Sequence, residues 1–101
     1  MVFEFPNKEG AKYRIKSQYE NYIGGEWVAP ADGEYFENES PVTGEVVSKV
    51  PRSKQADVDK AVAAAQEAQK SWAVTSVTER SNILLKIADR VEEHLEELAV
   101  L

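Results

Sequence analysis

Hydrophobic and polar positions in the second half of the chain repeat at helical spacing. Ser53 is the expected N-cap of a first helix, because its hydroxyl can accept a free backbone N–H. The apolar positions that follow recur at mostly helical steps and form one narrow stripe: Val58, Ala61, Val62, Ala65 and Trp72. Since most of that stripe is alanine, another element can approach it closely.

A second helix is predicted from the pattern Ser76-Val77-Thr78-Glu79, a capping box in which hydroxyl and carboxylate satisfy free amides. Its apolar stripe recurs at steps of three and four: Leu84, Ile87, Ala88, Val91, Leu95 and Leu98. The short connection predicts an antiparallel helical hairpin. We expect Val58, Ala65 and Trp72 to lie partly against Leu84, Ile87 and Val91.

The preceding residues are rich in aromatic and β-branched types punctuated by turn formers, which predicts short strands. Three strands are expected, at Tyr22–Val28, about Glu34–Asn38 and Glu45–Val50. Gly24 and Gly25 fall inside the first of these, where they predict a bulge or a close backbone approach rather than a phosphate site.

Together these elements predict an α+β fold, with a small antiparallel sheet of two or three strands followed by a two-helix hairpin. The organisation expected is an extended or mobile arm over residues 1–20, a strand region over 21–52 and a two-helix region over 53–101. No Gly, Asn or Pro ends the last helical pattern, so we expect that region to be truncated at its C-terminus.

Charge and composition narrow the function classes. The chain has 101 residues, with 12 Lys and Arg against 18 Asp and Glu, and a net charge of -6. This balance disfavours nucleic acid as a partner. No apolar run approaches the roughly 20 residues of a membrane span, and the opening lacks a signal-peptide pattern, so a cytoplasmic protein without a membrane partner is expected.

Candidate chemistry is sparse. The chain has no Cys and hence no thiol nucleophile, and no Gly-rich nucleotide motif. His94 lies among acidic residues, Glu92, Glu93, Glu96 and Glu97. This cluster is interpreted as a solvated helix face with a surface or half-buried histidine, rather than a metal or acid–base site. We therefore predict no catalytic, cofactor-binding or metal residue in this chain.

Four segments, taken in order, resemble the aldehyde dehydrogenase superfamily. Asn21–Val28 is similar to the family's "IGGEW" strand, and Ser40–Val47 to its "NPATGEVI" turn, with Ser40 in place of the usual Asn. Asp57–Ala65, with Trp72, resembles its "DVDxAVxAA" helix, and Glu79–Asp89 its "ERxxxLxKIAD" helix. The resemblance covers roughly Tyr22 to Leu101. The match over Glu79–Val91 looks like the bacterial branch acting on acetaldehyde and similar short aldehydes.

The resemblance implies that the chain is the N-terminal part of a longer α/β enzyme, which oxidises aldehydes to carboxylic acids with NAD or NADP. In that family the catalytic cysteine, the activating glutamate and the nucleotide site lie beyond these residues. The fragment alone is therefore expected to be inactive and to bind no cofactor. Its implied partners are the remaining domains, in a homodimer or homotetramer.

Two other interpretations stay open at this point. One is a free-standing structural or interaction module that docks its helical faces on a dehydrogenase subunit. The other is an unrelated small α+β binding domain whose motifs match by coincidence. An exposed apolar patch of more than a few hundred Å² favours the module. Mutual burial of the two apolar stripes favours the unrelated domain.

Overall fold

A computed structural model describes residues 5–101 and confirms the predicted α+β class. The strands are β1 (Asn21–Ile23), β2 (Glu26–Val28), β3 (Tyr35–Glu39) and β4 (Val46–Pro51). The helices are α1 (Gln55–Trp72), α2 (Val77–Glu93) and α3 (Leu95–Val100). The chain divides into two compact units. One is Lys16–Trp72, and the other joins residues 5–15 to Ala73–Leu101.

The predicted single strand Tyr22–Val28 is wrong, because it is a hairpin. β1 and β2 pair antiparallel, with Tyr22 opposite Trp27. Gly24 and Gly25 form the two-residue turn, with φ of 63° and 82°. Positive φ at both central residues defines the type I′ turn, whose twist matches that of the flanking strands. Glycine adopts this conformation without the steric penalty of a Cβ atom.

A second antiparallel pair, β3 and β4, forms close to the predicted strand positions, each shifted by one residue. Its register is interrupted by a bulge between Asn38 and Glu39. The connection is closed by Gly44 N–H donating to the Ser40 carbonyl at 2.8 Å. On the other side of β4, a parallel bridge joins Gln18 to Lys49. The segment before β1 therefore makes main-chain bonds to this sheet.

Helix α1 begins after Lys54, so the expected N-cap at Ser53 is wrong. The Ser53 hydroxyl instead accepts a hydrogen bond from the Asn21 side-chain amide at 2.8 Å. The Asp57 carboxylate accepts the Lys54 N–H at 3.0 Å, and the Lys54 carbonyl accepts the Asp57 N–H. An acidic residue in the first turn thus satisfies a free backbone donor and complements the helix dipole.

In the other unit, α2 begins as predicted. The Ser76 hydroxyl accepts the Glu79 N–H at 3.1 Å, which is the N-cap half of the capping box. The continuous helix expected beyond Glu93 is wrong, however. The chain turns at His94, with φ of -107° and ψ of 21°, and resumes as the short helix α3.

Apolar burial is slight throughout the described part of the chain. Among residues 5–101, no Ala, Val, Ile, Leu, Met, Phe, Trp or Tyr side chain is fully buried. Folded domains of this size ordinarily derive most of their stability from such burial. None of the helices in the same range has the length and apolar character that a membrane crossing requires.

Candidate functional site

Part of the apolar stripe of α2 and α3 lines an open groove of about 410 Å³. The groove surface is formed almost entirely by carbon atoms, including those of its charged side chains. The residues that line it are Ile83, Lys86, Ile87, Arg90, Val91, His94 and Leu98. Next to the groove, Leu84 is 67% exposed. Ile87, Val91 and Leu98 of the predicted stripe line this groove, and such a surface is suited to receive a second apolar surface.

Helix α1 presents a different surface within its own unit. A groove of about 810 Å³ lies between α1 and the β1–β2 hairpin. Small residues form much of its wall: Gly24, Gly25, Ala61, Ala64, Ala65 and Ala68. The larger stripe residues Val58, Val62 and Trp72 are exposed. Its small side chains allow another backbone to approach this face closely.

The predicted packing of the α1 stripe on the α2 stripe joins residues of different units, and it stays a prediction. The exposed fractions of Trp72 and Leu84 nevertheless show that neither stripe is fully covered. Each helix therefore offers apolar area to a further partner.

Asp57, in the first turn of α1, is the least exposed ionisable residue of the described range 5–101. Only 7% of the residue is exposed, and the second carboxylate oxygen accepts the Ala31 N–H at 2.8 Å. The backbone N–H donors of Lys54 and then Ala31 hold the pKa of this carboxyl below its ordinary value of 3.8. Hydrogen bonds to the Asp57 carboxylate thereby join the loop after β2 to the start of α1. Both oxygens are engaged by the backbone, so its role is structural.

Within the acidic cluster around His94, two contacts are local and one reaches a distant segment. Arg90 pairs with Glu93 at 2.7 Å, and His94 Nδ1 lies 3.0 Å from the Glu97 carboxylate. Glu96, expected to be solvated, is instead half-buried and accepts bonds from Lys12 at 2.9 Å and Tyr13 at 3.2 Å. These bonds, chiefly that from Lys12, lower the pKa of Glu96.

No metal site emerges within residues 5–101, where no three His, Cys, Asp or Glu side chains are grouped to hold an ion. The absence of catalytic, cofactor-binding and metal residues stays a prediction, because it concerns chemistry that the geometry alone does not test.

Sequence reasoning missed an exposed aromatic pair on the hairpin. The ring centroids of Tyr22 and Trp27 lie 4.9 Å apart, and Trp27 is 65% exposed. The Lys16 ammonium lies 5.7 Å from the centroid of the Trp27 ring. The missed signal is the Gly-Gly turn, which sets Tyr22 directly opposite Trp27.

Comparison with known proteins agrees with this architecture. The model of the Aldehyde dehydrogenase family matches residues 27–101, about three quarters of the chain. The chain belongs to the aldehyde dehydrogenase family. The resemblance to that family is thereby confirmed.

Individual relatives extend the comparison across nearly the whole chain. A long-chain-aldehyde dehydrogenase of Acinetobacter sp is 55% identical over 100 residues, covering 99% of this chain and 20% of the relative. Acetaldehyde dehydrogenase 2 of Cupriavidus necator is 58% identical over 91 residues, covering 90% of this chain and 18% of the relative. The chain therefore spans about a fifth of the length of these curated relatives.

Solved structures show the same relationship. PnpE, determined in complex with nicotinamide adenine dinucleotide, is 41% identical to this chain with a TM-score of 0.78. The match covers 81% of this chain and 17% of PnpE. The small sheets and helices described above thus correspond to one part of a larger dehydrogenase fold.

Proposed function

We propose that this chain is the N-terminal portion of an aldehyde dehydrogenase that oxidises aldehydes to carboxylic acids with NAD or NADP. Within that enzyme the chain has a structural role, and alone it is inactive. Family membership supports the reaction class. Full-length relatives about five times longer support the view that most of the catalytic apparatus lies in the remaining polypeptide.

One observation carries the structural role: helices with apolar stripes but no buried apolar side chain among residues 5–101. Burying apolar area is the dominant favourable term in folding, at about 25 cal/mol per Å². The groove on α2 and α3 is therefore proposed to receive an apolar surface of the remaining enzyme. The α1 face, with its alanines, is proposed to receive a close-packed element.

The nicotinamide cofactor is assigned to the remaining polypeptide. The described residues contain no Gly-rich loop opening a helix, which is the usual cradle for a pyrophosphate. Gly24 and Gly25 form a hairpin turn, and the turn leads into a strand, not into a helix N-terminus. They do not fit a dinucleotide phosphate. The complete enzyme is proposed to be a cytoplasmic homodimer or homotetramer that binds neither nucleic acid nor membrane.

The aldehyde is a separate question. The match over Glu79–Val91 favours short aldehydes such as acetaldehyde, and the Cupriavidus relative carries that name. The Acinetobacter relative, at a similar identity, is named for long-chain aldehydes. The proposal is therefore an aldehyde dehydrogenase of the bacterial type, with short aldehydes as the first substrates to assay.

A second candidate function is a free-standing module that docks on a dehydrogenase subunit. The exposed groove on α2 and α3 favours docking in either case. The two candidates differ in covalent linkage, since only the first requires a polypeptide that continues into the catalytic domains. The mass of the native protein distinguishes them directly.

The docking role is tested by placing a charge in the groove of the complete protein. Ile87→Asp is expected to lower thermal stability and aldehyde oxidation, because a carboxylate in an apolar interface is costly. Asn82→Asp adds the same charge to an α2 residue outside the groove lining, and should leave both quantities unchanged. Equal behaviour of the two variants would show that the groove is not covered.

A further inference from the structure

Residues 11–15 alternate between half-buried and exposed positions. Ala11, Tyr13 and Ile15 are half-buried, while Lys12 and Arg14 are exposed. The backbone bends at Lys12, and no regular strand forms here. The half-buried residues of the segment thus alternate with exposed, positively charged ones.

Residues 11–15 end a loop that begins at Asn7, and hydrogen bonds between Asn7 and Ile15 close this loop. The Asn7 side-chain amide donates to the Ile15 carbonyl at 2.8 Å, and the Ile15 N–H donates back to the Asn7 side-chain oxygen at 2.8 Å. Asn7 itself has φ of 67°, a conformation that Asn tolerates better than most residues. These bonds shape the loop without using any atom of α3.

Two side chains of this segment form hydrogen bonds with the same carboxylate on α3. Glu96 accepts bonds from the Lys12 ammonium at 2.9 Å and from the Tyr13 hydroxyl at 3.2 Å. The Lys12 ammonium also lies 5.1 Å from the Tyr13 ring centroid, so the two donors form one cluster. On α3, the half-buried residues are Glu96, Glu97 and Val100, which share one helical face.

We propose that residues 11–15 are a salt-releasable strap across α3, with Glu96 as its anchor. The loop bonds of Asn7 keep the strap in shape when it is released. The strap is independent of the catalytic reaction, and it goes beyond the docking role of the α2 groove.

Charge complementarity explains why the anchor is electrostatic. The arm carries Lys8, Lys12 and Arg14 close together, whereas the turn into α3 carries Glu92, Glu93, Glu96 and Glu97. The Lys12 side chain is 65% exposed, so its ion pair with Glu96 is open to solvent ions. Exposed pairs are weak and are screened as salt rises. The strap is therefore poised to open.

Limited trypsin digestion of the complete protein tests the strap, since trypsin cleaves after Lys8, Lys12 and Arg14. Cleavage requires the segment to leave α3, so its rate follows the population of the open form. In wild type we expect about a twofold to fivefold faster cleavage in the arm between about 0.01 M and 1 M salt, because an exposed ion pair contributes up to about 1 kcal/mol and is strongly screened at the higher concentration. Cleavage at a site outside the arm provides the reference for trypsin's own salt response.

Three variants separate the anchor from general charge effects. At low salt, Glu96→Gln should cleave like wild type at high salt, whereas Glu92→Gln, an exposed residue on α2, should cleave like wild type at low salt. The double exchange K12E with E96K should restore slow, salt-dependent cleavage at Lys8 and Arg14. Unchanged cleavage in Glu96→Gln, or equal acceleration by Glu92→Gln, would overturn the proposal.

Discussion

The Asp57 carboxylate in α1 accepts the backbone N–H of Ala31 at 2.8 Å, joining positions 26 residues apart. Its other oxygen caps the same helix through the Lys54 N–H. Asp57→Ala removes both acceptors and leaves two backbone donors unsatisfied. We expect faster amide exchange at Ala31 and Lys54 and a melting temperature several degrees lower. Asp59→Ala is the matched control, because the Asp59 carboxylate bonds only the Gln55 side chain.

The same carboxylate predicts an acid-sensitive step. The folded-state pKa of Asp57 lies below its ordinary value of 3.8. The stability it contributes is therefore fully present above about pH 4 and is lost as pH falls through the folded pKa. The Ala31 amide chemical shift should titrate with a midpoint below 3.8. An Ala31 midpoint at or above the ordinary value would contradict this, and the Ala31 titration should vanish in Asp57→Asn.

Removal of the α2 N-cap should loosen only the start of that helix. Ser76→Ala deletes the acceptor of the Glu79 N–H and is expected to cost about 1 kcal/mol. Amide exchange at Glu79 and Arg80 measures the loss locally. Ser81→Ala, inside the helix, should have little effect or slightly stabilise it, since alanine is the better helix former. Equal loss in both variants would rule out the cap as the cause.

Local signals predicted some elements and missed others for identifiable reasons. The capping box at Ser76 works within one helical turn, so sequence alone was sufficient to place the start of α2. Gly24-Gly25 also contains a local signal for the turn, because Gly-Gly is a preferred type I′ pair. The prediction of a bulge or a close backbone approach within one strand does not use that signal. The start of α1 at Gln55, directly after Lys54, is not evident from sequence, because Ser53 is the better N-cap type. The Lys54 N–H is capped instead by the Asp57 carboxylate, which lies inside the helix.

Other features depend on residues far apart in sequence. Glu96 meets Lys12 across 84 positions, and a helical-wheel pattern contains no information about such a contact. The turn at His94 is likewise not indicated by any Gly or Pro near it in the sequence. One further prediction rests on composition alone, because a chain without cysteine supplies no thiol nucleophile.

The hairpin turn gives a conformational prediction. Gly25 has φ of 82°, where a β-branched residue is strongly disfavoured. Gly25→Val should cost about 1 to 2 kcal/mol and separate the strands. The Tyr22–Trp27 ring contact, now 4.9 Å between centroids, provides the readout through ring-current shifts. Gly25→Asn should be milder, since Asn adopts positive φ more readily. Similar damage by both would mean that φ is not the limiting factor.

Truncating an apolar stripe residue should affect stability little in the isolated chain and strongly in the complete enzyme. Leu84 is 67% exposed in this chain, so Leu84→Ala should change the stability of the isolated chain by less than about 0.5 kcal/mol. In the complete enzyme the same change should cost about 2 to 5 kcal/mol, as for a buried leucine. Comparable unfolding midpoints for wild type and variant in the complete enzyme would show that Leu84 stays exposed there.

Aldehyde-dependent formation of reduced nicotinamide, by the native polypeptide that carries this sequence, tests the central claim most directly. The native polypeptide and the 101-residue chain are assayed side by side with acetaldehyde, a long-chain aldehyde, NAD and NADP. We predict turnover by the native polypeptide and none by the 101-residue chain. Turnover by the short chain, or a native polypeptide that oxidises no aldehyde, would contradict the account.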